Sequence, residues 1–314
     1  MEFIDFSVHK YHTFPTTMNN GSALPRISVV TPNYNYERYL EDTIQSIVGQ
    51  GYPNLEYVVI DDGSVDGSFD IIKKYVSELA YHEQQKNQGQ AHAINRGFAN
   101  TTGEIMAWLN SDDKYMPWTF AVVADIFTRF PDIDWITGVP SVWDEWGRNV
   151  QIKEKYKNIY DFLLGNYGWI QQESVFWRRS LWEKAGSYIV RDYKFQIDCE
   201  LWCRFFQHAE LWHVSCLLGG YRKHSAARTR HHISQTQAEA QKAVAQLKMN
   251  CSEDILREVD FLKRLQKMRI LARYLNLNGL FRHIFKKKFK KFAYKVIYWD
   301  EEWHISTKPY NLFR

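Results

Sequence analysis

The sequence predicts an α/β protein with a mainly parallel central sheet flanked by helices. Three observations carry this. Short apolar runs alternate with amphipathic helical stretches at the spacing of βαβ units. Three of those runs end in polar residues, at Thr31, at Asp61-Asp62 and at Asp112-Asp113. In a parallel sheet such ends share one edge, and ligands sit beyond it. With 314 residues, 45% hydrophobic and 16% aromatic, the chain has room for one large α/β domain plus an appendage. Its composition excludes global disorder.

The elements follow from periodicity. Residues 1–25 show no clear period and read as an irregular arm. Ile27-Ser28-Val29-Val30-Thr31 is a short buried strand ending at Pro32. Leu40, Ile44, Ile47 and Val48 then recur at helical spacing, and Gly49 and Gly51 close that helix. Leu55 to Ile60 is a second strand that runs into Asp61-Asp62-Gly63-Ser64. Ser68 suits the cap of a helix whose inner face is Ile71, Ile72, Tyr75, Val76 and Leu79. A helix from Ala91 to Ala99 precedes a strand from Glu104 to Leu109, and helix 117–130 and strand 133–139 follow. Residues 140–225 are less regular, with a strand at Val175-Phe176-Trp177 and a helix around Ile197 to Phe206 that carries Asp198 and Glu200.

Charge divides the chain. Between Phe261 and Trp299 there is no acid, and twelve of the forty lysines and arginines fall there. Phe281, Ile284, Phe285, Phe289, Phe292 and Val296 repeat at helical spacing among those cations. A basic amphipathic helix over 281–297 would suit an anionic membrane surface. The alternative is a helix that packs its aromatic face on the rest of the protein. The expected organisation is an arm (1–25), a catalytic domain (26–230, divided at 115/116) and a helical basic extension (231–314). No apolar run reaches transmembrane length and the start lacks a signal-peptide pattern, so a cytoplasmic location is expected, peripheral to the membrane if the tail docks. The four cysteines, at 199, 203, 216 and 251, form no CxxC pair and read as buried thiols.

Chemistry concentrates at Trp108-Leu109-Asn110-Ser111-Asp112-Asp113. An apolar run delivers two adjacent carboxylates to the rim of a sheet, and hard oxygen ligands there suit Mg²⁺ or Mn²⁺ shared with substrate phosphates. Taken alone, such a pair is also compatible with a turn or a helix cap. A dinucleotide oxidoreductase is excluded by the lack of GxGxxG. A sugar-phosphate nucleotidyltransferase would carry a Gly-rich basic loop where Pro32-Asn33-Tyr34-Asn35 stands. No motif suggests nucleic-acid binding.

An ordered series of segments resembles the family 2 glycosyltransferases, inverting nucleotide-sugar enzymes with a GT-A fold. The segments are Ile27 to Asn35, Val58 to Gly67, Asn87 to Gln90, Ala93 to Gly97, Thr102 to Ile105, the Asn110–Asp113 run, Gln171 to Ser174, Asp198 to Trp202 and Gly220 to His224. The resemblance covers about residues 26–225. It implies that Thr31 and Tyr34 border the nucleobase, that Asp62, with Asp61 beside it, binds its polar edge, and that Asn95 and Asp112 line the nucleotide. It further implies that Asp113, with Asp112 and His224, holds Mn²⁺ or Mg²⁺ on the diphosphate. Gln172 and Trp202 would lie on the acceptor side, and Asp198 would be the general base, with Glu200 its rival. Asn110 stands where many relatives carry Asp. Arg222, Lys223, Arg228 and Arg230 could close over the diphosphate or form a solvated loop. The donor implied is a nucleoside-diphosphate sugar, by default UDP-linked, and the acceptor a glycan or lipid-linked glycan. A catalytically silent sugar-nucleotide binder or membrane-associated scaffold is the alternative.

Overall fold

The computed structural model describes residues 23–168, 170–225, 232–274 and 288–310. In chain order its elements are β1 (Ile27–Asn33), α1 (Glu37–Val48), β2 (Leu55–Asp61), α2 (Ser68–Lys74), β3 (Tyr81–Gln84), α3 (Gln90–Phe98), β4 (Ile105–Trp108), β5 (Lys114–Tyr115), α4 (Thr119–Arg129), β6 (Trp135–Thr137), β7 (Ser141–Trp143), β8 (Asn149–Ile152), α5 (Ile159–Leu163), β9 (Val175–Arg178), α6 (Arg179–Lys184), α7 (Ile197–Phe205), β10 (Trp212–Val214), β11 (Gly219–Arg222), α8 (Ile233–Met249), α9 (Glu253–Tyr274), β12 (Tyr294–Asp300) and β13 (Glu302–Lys308). They build a nine-stranded sheet, ordered β13-β12-β10-β6-β9-β4-β1-β2-β3, and a four-stranded sheet, β5-β11-β7-β8. Strands β3, β2, β1 and β4 are mutually parallel, as are β6, β10 and β12. β9 runs antiparallel between the two groups. The expected mainly parallel sheet is therefore present.

The largely apolar character of β1 and β2 has a simple cause. Side chains alternate between faces along a strand, and here both faces are covered. Val30, Val58 and Ile60 pack with α3 and α7, whereas Val29, Tyr57 and Val59 pack with α1 and α4. The fit of α3 on β1 depends on Gly97, where an added Cβ would lie 2.3 Å from Val30 Cγ1.

β1 runs through Pro32 rather than stopping before it. Leu109 N donates to Val30 O, and the β4 pairing ends there. Even-numbered peptide groups of β1 face that side, so the N–H missing at Pro32 has no partner to lose. The edge strand β3 escapes the periodicity reading because Tyr81-His82-Glu83-Gln84 is polar and only half-buried.

The extension is only partly as expected. Helices α8 and α9 are present, and Ala240, Ala243 and Leu247 seat α8 on the core. The amphipathic helix over 281–297 is corrected. Residues Lys288–Phe292 form a short 3₁₀ turn and Tyr294–Asp300 a strand; positions 281–287 lie outside the described residues. Tyr-Lys-Val-Ile-Tyr-Trp is aromatic and β-branched, and it finds a parallel partner in β10, with β13 folding back beside it. Phe292, Tyr294 and Tyr310 pack against Leu262 and Leu265 of α9, so this part of the tail faces the protein. Of the predicted arm, residues 1–22 lie outside the described residues, while Leu24 is buried and Pro25 O accepts from Tyr52 Oη at 2.7 Å. Among the described residues no helix is long and apolar enough to cross a membrane.

Asn158 links the two parts of the chain. Its side chain caps α5 by accepting from Tyr160 N and Asp161 N, and Asp161 returns the bond in a capping box. Its Nδ2 also donates to Phe292 O at 3.0 Å. Asn158→Ala is expected to cost about 1–2 kcal/mol, read by urea denaturation.

Candidate active site

Strand register sets the site. Asn33 pairs with Asp61 and Val30 with Trp108, so the carboxyl ends of β1, β2 and β4 open on one edge. Asp61 is fully buried and its oxygens are already used. It accepts from Asn33 Nδ2 at 2.7 Å, Ser64 N at 3.0 Å and Gln84 Nε2 at 2.9 Å, and from the Ser64 hydroxyl. It holds the 61–64 turn together and does not face a ligand. Asp62 accepts from Gln85 Nε2, Gln88 N and Gly89 N at 2.7–3.2 Å. This carboxylate ties the loop leading into α3 to the sheet edge.

Other nucleotide-side residues are redistributed. Thr31 is fully buried, accepting from Tyr57 Oη at 3.0 Å, so it supports the edge from beneath. Tyr34 is 46% exposed at the rim, where a planar base could stack. Asn95 is not at the edge. Both ends of its amide are spent on Ile189, donating to its O at 2.8 Å and accepting from its N at 2.6 Å. A nine-residue helix can present an amide to either side, and only the packing of the 186–190 loop on α3 decides which.

The end of β4 carries the acidic centre. Asp112 is partly exposed, and its Oδ2 lies 3.0 Å from His224 Nε2. His224 is delivered by the segment just after β11 and rests on the ring of Tyr39 at 4.7 Å. Its Nδ1 is buried with no hydrogen-bond partner among the described residues. Asp113 instead turns inward. It is 1% exposed and accepts from Arg222 N at 2.7 Å. Burial, then the adjacent Asp112 and Glu173, hold its carboxyl well above the ordinary range. Arg222, 1% exposed, donates to Asp112 O at 2.7 Å and to Asp42 at 3.0 Å. It braces the loop rather than covering a diphosphate; Arg228 and Arg230 lie outside the described residues.

Glu173 is a member of this centre that motif reading did not assign. It sits in the 3₁₀ turn Gln172–Ser174 before β9. Burial raises its carboxyl to about 7, with Asp198 and Asp112 adding to the shift. The only sequence signal was a polar run, Gln171 to Ser174, before an apolar strand. β11 reaches this turn because residue 219 is glycine, where a Cβ would lie 2.0 Å from Glu173 O.

Asp198 lies in the first turn of α7, and burial raises its carboxyl to about 6. Among the described residues no cation pairs with it. Glu200 is removed as a rival base: Arg204 grips it at 2.8 and 2.9 Å and also binds the backbone of Tyr188. Gln172 is brought to the centre, donating to Trp108 O at 2.5 Å. Trp202 is not. It is 1% exposed, stacked on Trp108 at 5.8 Å and on Trp135 at 5.6 Å. It is a core residue, four positions after Asp198 and so on the same helix face turned one step inward.

The donor set suits a divalent cation. Asp112 offers a hard oxygen and His224 an imidazole nitrogen, a combination that favours Mn²⁺ over Mg²⁺. Asp113 is directed away. Among the described residues no group of three His, Cys, Asp or Glu could hold a metal. The protein would thus supply two ligands and leave the others to phosphate oxygens and water, as is usual for such ions.

Comparison with known proteins bears on the family and the fold. The family model described as glycosyl transferase family 2 matches residues 28–196. An uncharacterized glycosyltransferase of Nostoc sp. is 40% identical over 105 residues, 32% of this chain and 33% of that protein. The putative teichuronic acid biosynthesis glycosyltransferase TuaG of Bacillus subtilis is 38% identical over 96 residues, 29% of this chain and 37% of that protein. The matches thus span about a third of these relatives. Among solved structures, S. aureus TarS 1–349 in complex with UDP-GlcNAc superposes with a TM-score of 0.60 at 21% identity, covering 82% of this chain and 74% of that one. The same protein with UDP gives 0.58 at 19% identity, covering 80% and 75%. The fold is the GT-A type.

Proposed function

Because the chain belongs to glycosyl transferase family 2, we propose that it transfers a sugar from a UDP-sugar to a hydroxyl of a glycan or lipid-linked glycan, with inversion. The observation that carries this reading is one carboxylate, Asp198, with no cation partner among the described residues, electrostatically linked with Asp112 through Glu173 beside the Asp112–His224 pair. Asp198 removes the proton as the acceptor oxygen attacks the anomeric carbon, and the bond from that carbon to the diphosphate breaks on the opposite side. Attack and departure on opposite faces need one base and no enzymatic nucleophile. Asp112 and His224 would hold a divalent cation, which neutralises charge developing on the departing diphosphate. Tyr34 and the Asp62-anchored loop bound the nucleotide. UDP is supported by the TarS complexes, whose descriptions name UDP-GlcNAc and UDP, and a polysaccharide product by TuaG.

Nucleotide release from a panel of UDP-, GDP- and dTDP-sugars with Mn²⁺ tests the reading. Wild type is expected to hydrolyse one donor slowly and to stop when a chelator is added. Asp112→Ala should lose about 10²–10³-fold, since about 2.7–4 kcal/mol of charge stabilisation is removed. Binding without turnover, in the presence of a competent acceptor extract, would favour the silent sugar-nucleotide binder.

A further inference from the structure

We propose that Asn110 is a positioning residue that couples the nucleotide edge to the acceptor-side turn, and that it does so because it is an amide. The proposal rests on the donor and acceptor assignment above and goes beyond it.

The geometry is a closed circuit. Asn110 Oδ1 accepts from Gln90 Nε2 at 2.8 Å. Its Nδ2 lies 3.2 Å from Gln172 Oε1 and 3.3 Å from Asp113 Oδ2. Gln172 is locked in orientation because its Nε2 donates to Trp108 O at 2.5 Å, so its oxygen must face Asn110. Asn110 therefore has to donate on one side and accept on the other, which an amide does and a carboxylate cannot. An aspartate here would set an oxygen against both Gln172 Oε1 and the inward carboxyl of Asp113.

The circuit joins two parts of the site. Gln90 is the first residue of α3, and the amides just before it, Gln88 N and Gly89 N, are held by Asp62. A nucleotide engaging Asp62 competes with those amides for its carboxylate and shifts the segment that carries Gln90. Gly89 leaves that segment room to move, with φ +93° and nothing within 4 Å of an added Cβ. At the other end, Gln172 is adjacent to Glu173, whose carboxyl neighbours Asp113 and Asp198. A displacement at Gln90 is thus passed through one side chain to the turn beside the base.

Hydrogen–deuterium exchange of the full chain, with Mn²⁺ and UDP, GDP or dTDP, decides the matter without knowledge of the acceptor. Wild type is expected to show at least threefold slower exchange across 170–176 on binding the nucleotide it accepts. Gln90→Met should bind that nucleotide within about threefold of wild type by calorimetry, and both it and Asn110→Asp, each saturated with that nucleotide, should show no change across 170–176. Gln90→Met cuts the circuit at its half-exposed end, so it separates coupling from misfolding. Slowed exchange that persists in both variants, or no slowing in wild type despite binding, overturns the coupling alone. Failure of every nucleotide to bind overturns the proposed function, and the coupling with it.

Discussion

Replacing Asp198 with Asn is expected to lower transfer about 10²–10⁴-fold while leaving nucleotide binding intact. The substitution keeps the size of the side chain but cannot take a proton. Its pH profile supplies a second signature. Burial raises the Asp198 carboxyl to about 6, and the base works only when ionised. In wild type, kcat/KM should therefore rise with pH through about 6 and level off above it, and residual Asp198→Asn activity should lack that limb. The variant should also be at least as resistant to denaturant as wild type above that pH, because a carboxylate disfavoured by burial has been removed. An unchanged rate in Asp198→Asn would disprove its role as base.

Trp202→Ala is expected to cost about 3–5 kcal/mol of stability, the range for emptying a large core site. The indole lies between Trp108 and Trp135, with rings tilted only 11° and 30° from theirs. Its Nε1 has no hydrogen-bond partner among the described residues, so Trp202→Phe loses volume but no polar contact seen there and should cost much less. Urea denaturation reads both. If Trp202 instead touched an acceptor sugar, Trp202→Phe would raise the acceptor KM and leave the unfolding midpoint where it was.

Much of the donor half was legible because its signals are local. Buried strands with both faces covered are continuous apolar runs, and such runs show their ends. That is why β1, β2 and β4 and the polar residues beyond them could be placed from residues 27–113. The roles of individual polar side chains were less legible. Asp61 and Asp62 are adjacent, yet one closes a turn and the other pins a loop 26 residues further on. Asp112 and Asp113 are likewise adjacent, and the sequence alone favoured Asp113 for the metal. Their directions are opposite because Arg222, far along the chain, offers its backbone N–H to Asp113 only. The tail misled for a related reason. Phe285, Phe289, Phe292 and Val296 fit a helical period, while Tyr294, Val296 and the β-branched Ile297 fit a strand. An open sheet edge at β10 settled the choice.

The sequence by itself determined the α/β class, which depends on residue type and on periods of two and 3.6 that neighbours in the chain report. It also carried the ordered motifs of the family, and the resemblance they make implied Asp198 as the candidate base. Only the tertiary structure decided that Asp112 rather than Asp113 faces His224, that Glu200 is spent on Arg204 and that Asn95 and Trp202 are structural. It also showed that Asn110 joins Gln90 to Gln172. Trp202 is placed by packing and Glu200 by a neighbour on its own helix, whereas the other outcomes turn on hydrogen-bond partners brought from strands and loops far apart in sequence.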